Sequence, residues 1–428
     1  MPAIKLNKRR WIQKENALFV QLLFVACFLM WGGIGLFDTV DAPEVAGLLK
    51  YQDVLAFLSG VWLVGLTVKR RTFSRSFIIA TLCLILLIVW GVMSGFVQGN
   101  LIKDIALELR PFLYMLLGVF LANHLDRQTV ANNLISYSFL VALIILIQFV
   151  IFLRNGPVFV NGVVPGNANS VNLPVVRPQS FHLITIGLIF AFSRMGLQKI
   201  RPVTSIMTVI ILAALLIMQS KTYWGLAFFA LIGLFLFDRT FSARKKLYLF
   251  LFFVVGAAFL TTITAPLLAT GGRGGLFIVR KITDIFADTQ VSYGVVGVRV
   301  DESELMIKSW NESLSTTFFG QGLGHRYRET DLFFYRENLR DQERLSLFGH
   351  NYFLWLLLKF GLLGLLIFMS VIVYGFANAA KKSFILRRHF ALATAVLLAA
   401  AVFLGTPESP LGGFLFGLLL FTAAKSES

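Results

Sequence analysis

Only two of the 428 residues are cysteine, and acidic residues number 22 against 39 basic ones. Cys27 and Cys83 each sit inside an apolar run, so they read as small buried hydrophobes and exclude a disulfide framework. Neither they nor the five histidines are spaced as ligands of a structural metal. Charge of any sign is scarce, at 14% of residues, where ordinary soluble domains carry about 25%; a soluble globular class is excluded. No internal repeat of the kind that marks many secondary transporters is evident. The first apolar run is too long for a removed signal peptide and lacks a small-residue cleavage site, so it reads as a first span.

What fills the chain instead is apolar: 57% of residues are hydrophobic, and phenylalanine alone occurs 43 times. Runs of about 20 such residues recur, each long enough to cross a bilayer core as a helix. The expected fold is an all-α polytopic membrane protein with about twelve transmembrane helices. They are predicted at 17–37, 48–68, 77–97, 105–123, 133–153, 180–195, 202–219, 222–237, 246–264, 352–377, 389–405 and 411–424. Residues 1–264 thus carry the first nine, 265–350 form a large, partly helical loop, and 351–428 carry the last three. Asp53, Glu108 and Arg110 interrupt the second and fourth spans.

The formal charge of +17 is distributed unevenly. Over half of the basic residues lie in the N-terminal tail, in alternate connections such as Lys69–Arg75 and Lys381–Arg388, or at Lys425. By the positive-inside rule these are cytoplasmic, as are both termini, and the positive charge faces membrane lipids; nothing calls for nucleic acid. The opposite side carries two long connections. Residues 154–179 are rich in Gly, Pro and Asn, while 265–350 contain nearly equal numbers of acidic and basic residues. Within the latter, Leu305, Trp310 and Leu314 share a face opposite Glu302, Lys308 and Glu312, which predicts an amphipathic helix over 301–314. A second helical stretch is predicted through Arg328–Leu347.

The chemistry-bearing residues cluster on that side. His350 and Asn351 stand at the mouth of the tenth span, where an imidazole can accept a proton near neutral pH. Arg299, followed by Trp310 and Gly320-Gln321-Gly322-Leu323-Gly324, comes next; then Arg177 and Lys221. A guanidinium fork or an ammonium suits diphosphate oxygens. The glycine turn lets backbone approach a ligand or makes a tight bend, and no Walker lysine follows it. Further candidates are Arg110, with Glu108 or Asp104 as its expected partner, and Lys359, pointing outward or at a cavity. His182 stands at a helix start, and His325-Arg326 follow the glycine turn. His124 and His389 fall on the cytoplasmic side.

His350-Asn351-x9-Gly361-x2-Gly364 resembles the His-Asn/Ser/Gln-x9-Gly-x-x-Gly signature of the bacterial O-antigen ligase superfamily, which includes O-antigen polymerases. The resemblance covers most of the chain, including the large loop before the histidine helix, Arg299 and Arg177. Ser220-Lys221 stands where the family usually has Ser-Arg, and Leu365-Leu366 where many ligases have Thr-Val. The resemblance implies a fold like the GT-C type of glycosyltransferase and a site on the periplasmic face of the inner membrane. It implies a donor glycan on undecaprenyl diphosphate, an acceptor glycan or glycolipid such as lipid A-core, and envelope-glycan assembly proteins as possible neighbours. It implies no metal and no other cofactor. His350 would be the general base, Asn351 would orient the histidine or the sugar, and Arg299, Lys221 and Arg177 would offset the leaving diphosphate. A lipid-linked glycan transporter is the competing class.

Overall fold

The computed structural model describes residues 44–45, 49–70, 73–155, 163–164, 175–176, 181–197, 202–217, 221–237, 295–329, 344–346, 351–380, 385–404 and 410–425, with isolated positions at 21–22, 247, 250 and 251. Helix dominates. In chain order the helices are α1 (Tyr51–Arg70), α2 (Arg75–Val97), α3 (Ile102–His124), α4 (Arg127–Asn155), α5 (Phe181–Leu197), α6 (Pro202–Ile217) and α7 (Lys221–Phe237). They continue as α8 (Val295–Trp310), α9 (Leu314–Phe319), α10 (Tyr352–Ala380), α11 (Ile385–Leu404) and α12 (Pro410–Ala424). Extended pairing among the described residues is confined to three short antiparallel ladders, Glu44–Val45 with Leu49–Lys50, Val163–Val164 with Val175–Val176, and Tyr327–Glu329 with Arg344–Ser346.

Four of these helices, α2, α3, α4 and α10, are long and apolar enough to cross a membrane. Their outer faces carry large exposed apolar side chains, such as Leu82 at 60% and Val373 at 61%, which water would penalise and lipid would not. The predicted segments at 17–37 and 246–264 fall almost entirely outside the described residues; the others coincide with helices to within a few residues.

The centre of the bundle is α12. It is apolar on every side, and every residue from Leu411 to Ala424 is buried, as expected of a helix with no polar face. It lies along α3 with backbones in contact. A Cβ at Gly118 would come within 2.3 Å of the Phe414 carbonyl oxygen, and one at Gly413 within 2.3 Å of that of Pro111. One end of this packing is tied by Lys425, whose ammonium donates to the carbonyls of Ala122, Asn123 and Leu125 at 3.3, 3.0 and 3.2 Å and so satisfies the C-terminal turn of α3. Arg127 and Arg387 in turn donate to the carbonyl of Lys425.

The large loop departs from its predicted pattern in two ways. The helix expected over 301–314 runs from Val295 to Trp310, and Leu314 begins a separate short helix. Its buried side is rotated: Glu302 is 4% exposed and accepts a hydrogen bond from the Tyr327 hydroxyl at 2.8 Å, while Leu314 is 80% exposed. The second departure begins at the same tyrosine. Tyr327–Glu329 pairs with Arg344–Ser346 where a helix through Arg328–Leu347 is predicted; the intervening residues lie outside those described.

Candidate functional site

The geometry of interest starts from a break in α10. Gly361 has φ 65° and ψ −171°, a conformation essentially restricted to glycine, and it interrupts the helical hydrogen-bond ladder. The carbonyls of Leu358 and Lys359, which an unbroken helix would pair with the N–H groups four residues on, are freed. They accept instead from the N–H groups of Gln321 and Gly322 at 2.8 and 2.9 Å. The glycine-rich turn 320–324 is thus inserted into the break. Gly320, Gly322 and Gly324 all have positive φ, and a Cβ at Gly320 would stand 2.4 Å from the Lys359 carbonyl oxygen.

The far side of the turn docks onto α2 and the α2–α3 connection. Leu323 N–H donates to the Gly91 carbonyl at 2.9 Å, and the Asn100 amide donates to the carbonyls of Gln321 and Leu323, both at 2.9 Å. The Trp90 indole N–H donates to the Phe319 carbonyl at 3.1 Å. The glycines therefore serve the approach of backbone to backbone. In that role the turn is a joint between helices and has little room left for a ligand.

Buried charge locks the joint. Lys359 and Glu108 are both fully buried, with Nζ 2.6 Å from Oε1. The other Glu108 oxygen accepts the Gly324 N–H, and Lys359 also donates to the His325 carbonyl. One turn earlier on α3, Asp104 holds Arg326 through two bonds of 2.6 and 2.7 Å. That pairing raises the guanidinium pKa further. His325 Nε2 is hydrogen-bonded to Ser309 Oγ at 3.0 Å. Burial, followed by the nearby Lys359 charge, pulls its imidazole down to about 4, so it is neutral at pH 7.

These contacts revise several sequence expectations. Lys359 neither reaches outward nor lines a cavity; it is spent on an internal ion pair. Arg110 pairs with Asp53 of α1 at 2.9 Å, where Glu108 or Asp104 was the expected partner, and Tyr114 donates to the same carboxylate at 3.0 Å. His182, second residue of α5, is buried at 5% exposure rather than water-facing. His124 bonds Thr67 at 2.9 Å and His389 bonds Ser193 at 2.5 Å, both contacts between helices.

Asn351 caps α10. Its side-chain oxygen accepts the N–H groups of Phe353 and Leu354 at 3.1 and 3.2 Å, which leaves its amide nitrogen without a partner among the described residues. Arg299 lies on α8 and Lys221 is the first residue of α7. His350 and Arg177 lie outside the described residues. Sequence reasoning missed Asp104, Glu108 and Asn100 as site-building groups. The signal available was the four-residue spacing of two carboxylates on one face of an otherwise apolar helix. Comparison with protein-family models and with curated proteins finds no match to this chain.

Proposed function

We propose that the chain is a membrane-embedded glycosyltransferase of the O-antigen ligase type, with about twelve spans, cytoplasmic termini and a periplasmic site in the bacterial inner membrane. The donor is a glycan on undecaprenyl diphosphate; the acceptor is a hydroxyl of lipid A-core or another surface glycan. The observation that carries this reading is the docking of the 320–324 turn into the Gly361 break. Gly361 of the signature and the glycine turn that follows Arg299 in sequence meet as one joint. That joint holds the capped head of α10, where position 350 begins, against α2, α3 and the loop bearing Arg299.

In this reaction the acceptor oxygen attacks the anomeric carbon as the bond to the diphosphate breaks, with inversion. His350 takes the hydroxyl proton. The leaving diphosphate departs with the bonding electrons, and Arg299, Lys221 and Arg177 offset its charge. The Asn351 amide nitrogen, which has no partner among the described residues, is a donor suited to a sugar oxygen, since its oxygen is committed to the helix cap. The transporter alternative is disfavoured because the buried charges of Glu108, Lys359 and Asp104 are consumed by one another, by backbone groups and by the exposed Arg326.

The test uses purified protein and an undecaprenyl diphosphate-linked repeat unit, with products resolved by size. Transfer of one glycan only when lipid A-core is added supports the ligase form. A ladder of longer glycans still on the carrier makes the protein a polymerase of the same chemistry. No transfer under either condition, or full transfer by a folded His350→Ala variant, overturns the proposal.

A further inference from the structure

The short helix α9 leads into the glycine turn, and its outward face is apolar. Leu314, Phe318 and Phe319 are exposed, while the polar Thr316 is buried. Its place along the bundle decides what that face meets. Phe319 packs on Trp90 of α2 with ring centroids 5.3 Å apart, and Trp90 stands seven residues before Val97, where α2 ends. Those seven residues span about 10 Å along the helix axis. Beyond Trp90, α2 continues to expose apolar side chains at Met93, Phe96 and Val97, and the connection to α3 adds Leu101. On its other side α9 abuts the break in α10, nine residues into that helix, where a Cβ at Gly361 would stand 2.3 Å from the Phe318 carbonyl oxygen. Leu362, Leu363 and Leu366 are exposed just past that point. The face of α9 is therefore level with exposed apolar surface on two helices able to cross a membrane, not beyond their ends.

A loop segment at that level must have its backbone polar groups satisfied by protein, because lipid offers them no partner. The segment meets this condition. Ser313 and Thr316 exchange side-chain and backbone bonds at 3.0 and 3.1 Å across the first turn. The carbonyls of Thr316, Thr317 and Phe319 accept from Gly320 N–H and from the indoles of Trp310 and Trp90, at 2.9, 2.9 and 3.1 Å. We infer that α9 is an interfacial foot of the large loop, with Leu314, Phe318 and Phe319 seated among the acyl chains of the leaflet on the glycine-turn side. Lys308, Asn311, Glu312 and Ser313, all exposed and preceding α9, then reach the headgroups. The partner is the lipid surface itself, continuous with the lipid-facing sides of α2 and α10. The inference rests on the chain being embedded in a bilayer and is independent of the transferase reading.

Nitroxide labels on the full chain in phosphatidylcholine–phosphatidylglycerol vesicles test this directly. Leu314→Cys and Phe318→Cys are each made with Cys27→Ala and Cys83→Ala, and Met93→Cys and Val97→Cys provide a depth ruler along α2. Collisions with oxygen, which concentrates in lipid, are compared with those of a water-soluble nickel chelate. Oxygen is expected to dominate at both α9 positions, and Phe318→Cys is expected to read at least as deep as Val97→Cys. A label that collides more with the chelate overturns the inference. So does a label shielded from both reagents, as a second copy or another segment of the chain lying over α9 would produce. The unaltered protein gives a second reading that needs no substitution. An apolar diazirine dissolved in the vesicles and photolysed is expected to modify residues 314–319 as well as the exposed face of α2, and modification of α2 alone would overturn the inference.

Discussion

Replacing Lys359 by methionine removes one half of an ion pair whose members are both fully buried and 2.6 Å apart. The surviving Glu108 carboxylate keeps the Gly324 N–H and loses its counter-charge, while the His325 carbonyl loses its donor. Breaking a buried pair in this way costs about 3–5 kcal/mol. Glu108→Leu strands the ammonium and orphans the Gly324 N–H, for a similar cost of about 3–5 kcal/mol. The double variant carries neither charge. What remains are the Gly324 N–H, the His325 carbonyl and the Trp355 indole N–H that also bonds Glu108, at about 1–3 kcal/mol each. If the sites were independent the double variant would lose about 6–10 kcal/mol. With the pair intact as described it loses about 3–9 kcal/mol, a coupling of about 2 kcal/mol. Reversible unfolding in mixed micelles, titrated with a denaturing detergent, measures all four proteins. A coupling below about 0.5 kcal/mol, the scatter of non-interacting sites, would refute the buried pair.

Three further outcomes follow from the same geometry. Gly361→Ala forces a side chain into φ 65° with a Cβ 2.3 Å from the Phe318 carbonyl oxygen, and should destabilise the protein by more than about 2 kcal/mol. Gly60→Ala, within α1 with nothing near its Cβ, should be neutral or stabilising by about 0.5–1 kcal/mol, so equal effects in the same unfolding assay would contradict the helix break. Asn351→Ala should cost about 1 kcal/mol through loss of the α10 cap, whereas Asn351→Asp keeps the cap oxygen and removes the amide donor. Glycan transfer by Asn351→Asp should therefore fall while its stability holds; unchanged transfer would leave the residue a cap alone. Finally, the folded His325 imidazole titrates near 4 and the unfolded one near the ordinary value of about 6.5. Between those values the unfolded chain binds more protons, so stability rises with pH across that window and is flat above it. His325→Gln should remove this slope from unfolding midpoints measured at pH 4.5 and 7, and an unaltered slope would assign it to other groups.

The helical segments were legible because burial in lipid demands long apolar runs, which composition records directly. The interrupting charges were legible too, but their partners were not. Asp53 and Arg110 come from neighbouring helices, and Glu108 meets Lys359 from the other end of the chain. No local spacing encodes such pairings, and the expected Arg110–Glu108 contact followed from helical proximity that tertiary packing overrode. Glu302 illustrates the same limit within one helix. Its charge placed it on the solvent face by pattern, yet it lies buried with the Tyr327 hydroxyl donating to its carboxylate.

The glycines show why the joint itself escaped a reading from sequence. Tyr352–Ala380 is almost wholly apolar, with Lys359 its one charge, so periodicity reads one continuous helix and Gly361 passes as a small residue within it. The 320–324 turn in turn offers three glycines without saying what they approach. Each observation acquires meaning only from the other, because the carbonyls freed at Leu358 and Lys359 must find donors in an apolar interior, and the N–H groups of Gln321 and Gly322 reach them because the glycines at 320 and 361 leave no Cβ where the two backbones meet. The broken helix and the glycine turn are therefore one device. Its consequence for function is positional: residues 351–360 form a short, capped segment held at both ends, by Asn351 and by the joint, rather than the free start of a long helix. Through the turn that segment is tied to α2 by the Leu323 N–H on the Gly91 carbonyl and to α3 by the Glu108 carboxylate on the Gly324 N–H, so its position is set by two other helices rather than by its own continuation.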